Sequence, residues 1–132
     1  MKDLLWVGLG GFIGSALRHL STRGFELWAA QLKFPLGTFF VNILGCLAIG
    51  VLTALIEKTG WVSTPARLFL VTGVLGGFTT FSAFGLETFN FLRSGEYLAP
   101  ALYITLSVFI GLGAVCLGFR IVSFLLSLGS TQ

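Results

Sequence analysis

The sequence predicts an all-α integral membrane protein, on three observations. Hydrophobic residues fill 55% of the 132 positions and charged residues 10%, more apolar surface than one soluble domain of this length can hide. The apolar residues gather into four long stretches, each near or above the roughly 20 residues that cross a hydrocarbon core. The basic residues sit mostly at the ends of those stretches, where they anchor helices and signal topology. Residues 1–132 therefore read as a single four-helix transmembrane domain, with short connections and no low-complexity tract.

The first stretch runs from about Leu4 to Leu20. It has no small-residue cleavage site and carries Arg18 and His19 near its end, so it reads as a retained helix and not a leader. Gly10, Gly14 and Arg18 are four apart and share one face. Gly10-x-x-x-Gly14 is a close-packing pattern. Arg18 has two readings: it snorkels to the interface, or it stands at the mouth of a polar cavity and attracts anions. The second stretch, about Leu36 to Ile56, follows Pro35, which suits a helix start. Thr38, Asn42 and Gly45 or Cys46 lie on one of its faces. Asn42 is about two turns in. It either hydrogen-bonds a neighbouring helix or offers its two amide hydrogens to an anion without adding charge.

The third stretch, about Ala66 to Leu92, follows a Ser63-Thr64-Pro65 start signal, with Thr64 as the expected cap and Pro65 as the first helical residue. As one helix, its 27 residues would measure roughly 40 Å. A tilt absorbs that length, or a break at Gly76-Gly77 does, leaving two half-helices that meet inside the membrane. Non-helical backbone at that depth survives only when buried in protein or lining a cavity. Gly76-Gly77-Phe78-Thr79-Thr80-Phe81-Ser82-Ala83-Phe84 holds more than a plain anchor needs. Phe81 and Phe84 share a face, with Phe78 one turn before. Such a stripe is core or lipid-facing, or its positive ring edges line a narrow passage. Ser82, Glu87 and Thr88 lie further on, Glu87 being either near the surface or part of a polar track. The fourth stretch, about Leu98 to Leu126, places Tyr103, Ser107 and Gly111 on one face, as a polar path or a close helix contact.

Several function classes are excluded. A net charge of +3 without a clustered basic patch does not suit nucleic acid. Cys46 and Cys116 lie in apolar stretches without a CxxC or His/Cys cluster, so they read as small hydrophobes. His19 is the only histidine, and Asp3, Glu26, Glu57, Glu87 and Glu96 show no metal-ligand spacing. No nucleophile sits beside a base, so the chain is not expected to be an enzyme. With four crossings, Lys2, Lys58, Arg67 and Arg120 fall on one side, and Arg18, Arg23, Lys33 and Arg93 on the other. That balance sets no orientation and predicts a dual-topology protein that pairs with an inverted copy of itself.

Together these residues resemble the small fluoride channels of the Fluc or CrcB family, over almost the whole chain. The resemblance rests on the glycine-rich first helix ending in Arg18, on Pro35-Leu36-Gly37-Thr38, on Val41-Asn42, on the Gly76–Phe84 string, and on Tyr103 with Ser107. The Gly-Gly-x-Thr-Thr-Phe-Ser-x-Phe string is specific. The resemblance implies an antiparallel, dual-topology homodimer in the plasma membrane, with two parallel fluoride pathways and passive export of fluoride that reduces its toxicity. It implies a structural Na+ at the dimer centre, held by the backbone carbonyls of Gly76 and Thr79. Phe81 and Phe84 would turn ring edges to the ion, Asn42 would be a donor in the pore, Ser107 and Tyr103 would line the path, and Arg18 would sit toward the vestibule. Thr38, Thr80, Ser82 and Glu87 transfer more loosely, along a polar track. Ala83, Gly85 and Gly111 depart from the usual hydroxyl-bearing positions and thin that track. Two other classes stand beside this one: a proton-coupled antiporter using Glu87, and a noncatalytic subunit whose polar groups only pack.

Overall fold

The computed structural model describes all residues except 30, 33, 61 and 130–132, so Lys33 of the charge balance lies outside the described residues. All regular structure among the described residues is helical. Helix α1 spans Lys2–Trp28, two turns beyond the expected end at Leu20. The polar segment after Leu20 contains no proline or paired turn residues before Trp28, and nothing in it stops a helix. Helix α2 spans Leu36–Thr59 and starts after Pro35, as expected. It continues through Glu57-Lys58-Thr59 and closes at Gly60, which takes the left-handed conformation (φ 63°) that glycine adopts without a side-chain clash. Helix α6 spans Leu98–Gly129, with Pro100 in the first turn, where a missing N–H costs no helical bond.

The third stretch is built from four pieces. Helix α3 (Thr64–Arg67) is capped by Ser63, whose hydroxyl accepts from the Ala66 N–H at 3.4 Å. The cap thus lies one residue before the expected Thr64, and Pro65 takes the second helical place. A π-helical stretch, Leu68–Leu75, follows, then helix α4 (Gly76–Phe78) and helix α5 (Phe81–Arg93). The break falls at Thr79 and Thr80, both extended (ψ 156° and 114°), and not at Gly76-Gly77. Both glycines remain helical, and Gly77 is needed for packing. A Cβ on Gly77 would stand 2.6 Å from the Gly11 carbonyl oxygen. The helix instead ends where a threonine is available to cap the next one: Thr80 Oγ1 accepts the Ala83 N–H at 3.2 Å.

Two helix pairs organise the molecule. On α1, Gly10 and Gly14 bring its backbone against the π stretch and α4. A Cβ on Gly14 would meet the Val74 carbonyl, and the Phe78 nitrogen at 2.8 Å. On α2 and α6, Gly50 and Gly118 do the same, facing the carbonyls of Val115 and Leu47. This is the small-residue packing by which helices associate without a hydrophobic driving force. The buried interior is slight: Val41, Ala54, Tyr103 and Val122, with Thr38 as its polar member. Large apolar side chains such as Leu4, Phe12, Phe109 and Leu112 are exposed, an exterior suited to lipid.

Three helical segments are long and apolar enough to cross a membrane: Leu36–Thr59, Thr64–Arg93 and Leu98–Gly129. Helix α1 is long enough but more polar, because Arg18, His19 and its glycines dilute its apolar residues. The chain is an all-α membrane protein that crosses the bilayer more than once.

Candidate functional site

The break at Thr79-Thr80 is held open by a side chain on another helix. Asn42, on α2, accepts the Thr80 N–H with Oδ1 at 2.8 Å and donates from Nδ2 to the Thr80 carbonyl at 3.1 Å. A residue in the middle of an apolar span thereby has both backbone groups satisfied without a helix. The pairing also fixes the Asn42 amide, because only its oxygen can accept from an N–H. Nδ2 keeps a second hydrogen with no partner among the described residues. Asn42 therefore bonds a neighbouring element, the first of its two readings, and of the two hydrogens in the second reading one is already used.

The break, through this pairing and the Thr80 cap, releases two carbonyls. In a continuous helix the Gly76 carbonyl would receive the Thr80 N–H, and the Thr79 carbonyl would receive the Ala83 N–H. Here those donors go to Asn42 and to Thr80 Oγ1. The Thr79 carbonyl accepts a long bond from Arg18 Nη1 at 3.4 Å. Arg18 thus reaches inward to the break and does not snorkel. Gly76 is exposed on the surface of the chain.

A cavity of about 470 Å³ opens beside the break. Asn42, Thr80, Phe81, Phe84 and Ser107 all line it, as do Gly76 and Thr79. Phe81 and Phe84 are paired, with centroids 5.6 Å apart and planes tilted by 37°. Phe84 is half-buried, whereas Phe81 is 84% exposed and turns out from the chain. The Ser107 hydroxyl is buried without a hydrogen-bond partner, although a polar atom buried at that depth normally has one. Gly111, one turn on, is packed: a Cβ there would lie 3.4 Å from Cys46 Sγ. For Gly111 the close-contact reading holds.

Beyond Phe84 lies a second polar cluster. The Glu87 carboxylate accepts from Thr38 Oγ1 at 2.6 Å and from Tyr103 Oη at 2.7 Å. Tyr103 is fully buried, its ring between Phe84 at 4.9 Å and Phe34 at 5.3 Å. These two short bonds to one carboxyl group draw α2, α5 and α6 together. Glu87 is half-buried and belongs to this polar cluster. On the other side of α5, a wider recess of about 770 Å³ is bordered by Arg18, His19, Arg23, Ser82 and Glu87. Ser82 is exposed there, its hydroxyl 3.3 Å from that of Thr80.

The structure thus divides the sequence-predicted residues into two neighbouring groups. Asn42, Thr80, Phe81, Phe84 and Ser107 meet at the cavity with Gly76 and Thr79, while Thr38, Glu87 and Tyr103 meet one turn away. Arg18 and Ser82 face the recess. Sequence reasoning missed Ser15, whose hydroxyl lies 3.5 Å from the Gly77 carbonyl, and Phe34, which packs on Tyr103. Ser15 had a signal, one residue after Gly14 in the same turn. Phe34 had none, being an isolated aromatic in a connection.

A polytopic helical membrane protein, with an interrupted span and a donor-lined cavity beside the interruption, belongs to the class of small channels and carriers. Residues 5–119 match the family described as CrcB-like protein, Camphor Resistance (CrcB), and the chain belongs to that family. It is 48% identical over 122 residues to the "Fluoride-specific ion channel FluC" of Methylobacillus flagellatus, covering 92% of this chain and 95% of that one. It is 50% identical over 121 residues to the protein of that name from Chloroflexus aurantiacus, covering 89% and 93%. A third relative of the same name, from Hyphomonas neptunium, is 52% identical over 122 residues, covering 89% and 93%. These relatives are named as channels and not as enzymes.

Proposed function

We propose that this chain is a fluoride-selective channel of the plasma membrane that lets fluoride leave the cytoplasm passively. The observation that carries the reading is the 470 Å³ cavity, where a spare Asn42 amide hydrogen, an unpartnered Ser107 hydroxyl and two phenylalanine rings converge. Fluoride is small and strongly hydrated, so a pore must replace its water with donors. Amide N–H, hydroxyl O–H and positive ring edges all qualify, and none adds charge. The relatives' printed name agrees with that donor set. A cell interior at negative potential drives an anion outward, so export needs no coupled ion.

The working unit in this reading is a homodimer of inverted copies, with α1 as the fourth crossing. The exposed Phe81 ring supports it, since a ring turned away from its own chain serves a pore only if a second copy completes the wall. The carbonyls of Gly76 and Thr79, deprived of their helical donors, are oxygen ligands of the kind a hard cation takes. Two copies would supply four such oxygens to a structural Na+. Each carbonyl has two lone pairs, so the long Arg18 bond leaves one on Thr79 for the ion. When bound, Na+ would satisfy freed carbonyls that have no water at that depth. The test is fluoride efflux from liposomes holding the purified protein, followed with a fluoride electrode. Efflux well above empty liposomes is expected, and none contradicts the reading.

A further inference from the structure

We propose that Arg23 and Glu26, near the end of α1, are an opposed pair of charges that sets how much fluoride gathers beside the break, Arg23 raising it and Glu26 holding it down. The inference rests on the channel reading above and deepens it. Helix α1 runs two turns past its expected end at Leu20, and that extension carries both residues. They are three apart, so they are neighbours on one helix surface. Both are exposed, and both border the recess of about 770 Å³. That recess reaches the break: Thr80 lines it and also lines the 470 Å³ cavity. Arg18, in the same recess, donates to the Thr79 carbonyl.

Two other groups on the recess are tied to the protein. Arg18 holds Thr79, and the Glu87 carboxyl has a hydroxyl donor on each oxygen. The side chains of Arg23 and Glu26 have no ion pair or hydrogen bond among the described residues. Their charges therefore act on the recess itself and not on a partner. The field of a fixed charge crosses water, so it reaches an anion in the recess whichever wall that anion touches. A unit charge about 10 Å away in water changes the local anion concentration about twofold, and low-dielectric walls enlarge the effect. Removing either charge tips the recess in the direction that its sign dictates.

The experiment is fluoride efflux from liposomes for the parent protein, Glu26→Gln, Arg23→Gln and the double variant, each taken from a single symmetrical gel-filtration peak. Fluoride is kept low enough that the rate rises in proportion to it, and one pH is used throughout so that His19, which also borders the recess, keeps its charge state. The runs are made in potassium isethionate at ionic strengths of about 0.01 and 1 M, where the screening length is about 30 and 3 Å, under the same driving potential. In dilute salt Glu26→Gln is expected about twofold or more above the parent and Arg23→Gln about twofold or more below, with the double variant close to the parent. In concentrated salt all four rates converge. Equal rates in dilute salt overturn the inference, as do differences that persist undiminished in concentrated salt, since those mark altered packing and not charge. If Arg23→Gln does not fold, Glu26→Gln alone still carries the sign and the salt dependence. Efflux by the parent with the wrong signs sinks this inference alone; no efflux by the parent sinks the channel reading and this inference with it.

Discussion

At the scale of single residues, Asn42 joins structure and function most tightly. It satisfies both backbone groups of Thr80 and keeps one hydrogen for the cavity. Asn42→Ala removes two hydrogen bonds and strands two backbone groups, at a cost of about 1–3 kcal/mol for each group left unpaired. We expect a melting temperature in detergent lowered by several degrees and fluoride efflux reduced at least tenfold. Unchanged efflux would remove Asn42 from the site. Asn42 could be singled out from sequence because an amide two turns into an apolar span must find partners. Its target could not, because the pairing with Thr80 joins α2 to the break, 38 positions away. Glu87 shows the same limit. The sequence offers a carboxylate that is either at the surface or in a track, and its partners, Thr38 and Tyr103, come from two other helices that no local pattern joins to it.

At the scale of elements, the interrupted third span is the feature that sequence reading placed nearly but not fully. Its excess length and its glycines pointed to a break, yet the glycines are helical and the break falls at the two threonines after Phe78. The reason is a division of labour between residue types. Gly73 and Gly77 bring this element against α1, whereas Thr80 caps α5. Gly10 and Gly14 on α1 are the other half of that contact, as the four-residue spacing implied. Two substitutions on α1 separate packing from glycine content. Around Gly8 an added Cβ meets nothing within 4 Å, while at Gly14 it meets backbone from the neighbouring helix. Gly14→Ala is expected to lower stability by about 1–3 kcal/mol, the usual cost of overpacking, and Gly8→Ala to leave it the same or slightly higher. Thermal unfolding of the two variants in one detergent checks this, and equal melting temperatures would mean that α1 does not seat through Gly14.

At the scale of the whole molecule, the proposed function has a chain of small interior and exposed Phe81 complete itself against lipid and a second copy. The balance of basic residues, four to a side over four crossings, predicts insertion in both orientations. C-terminal reporters active on either side of the membrane should then each give signal from the same chain. Signal from one side only would contradict the inverted pair, and with it the four-oxygen Na+ site. Composition and periodicity made the helical, membrane-embedded character legible; the cavity arises only where α2, the broken span and α6 converge. The central claim is selectivity: uncharged donors closing around a small anion should reject a larger one. The most direct measurement is paired efflux of fluoride and chloride from liposomes containing the purified protein, driven by the same potential. The account predicts that fluoride leaves while chloride stays at the level of empty liposomes. Equal efflux of the two anions would contradict it.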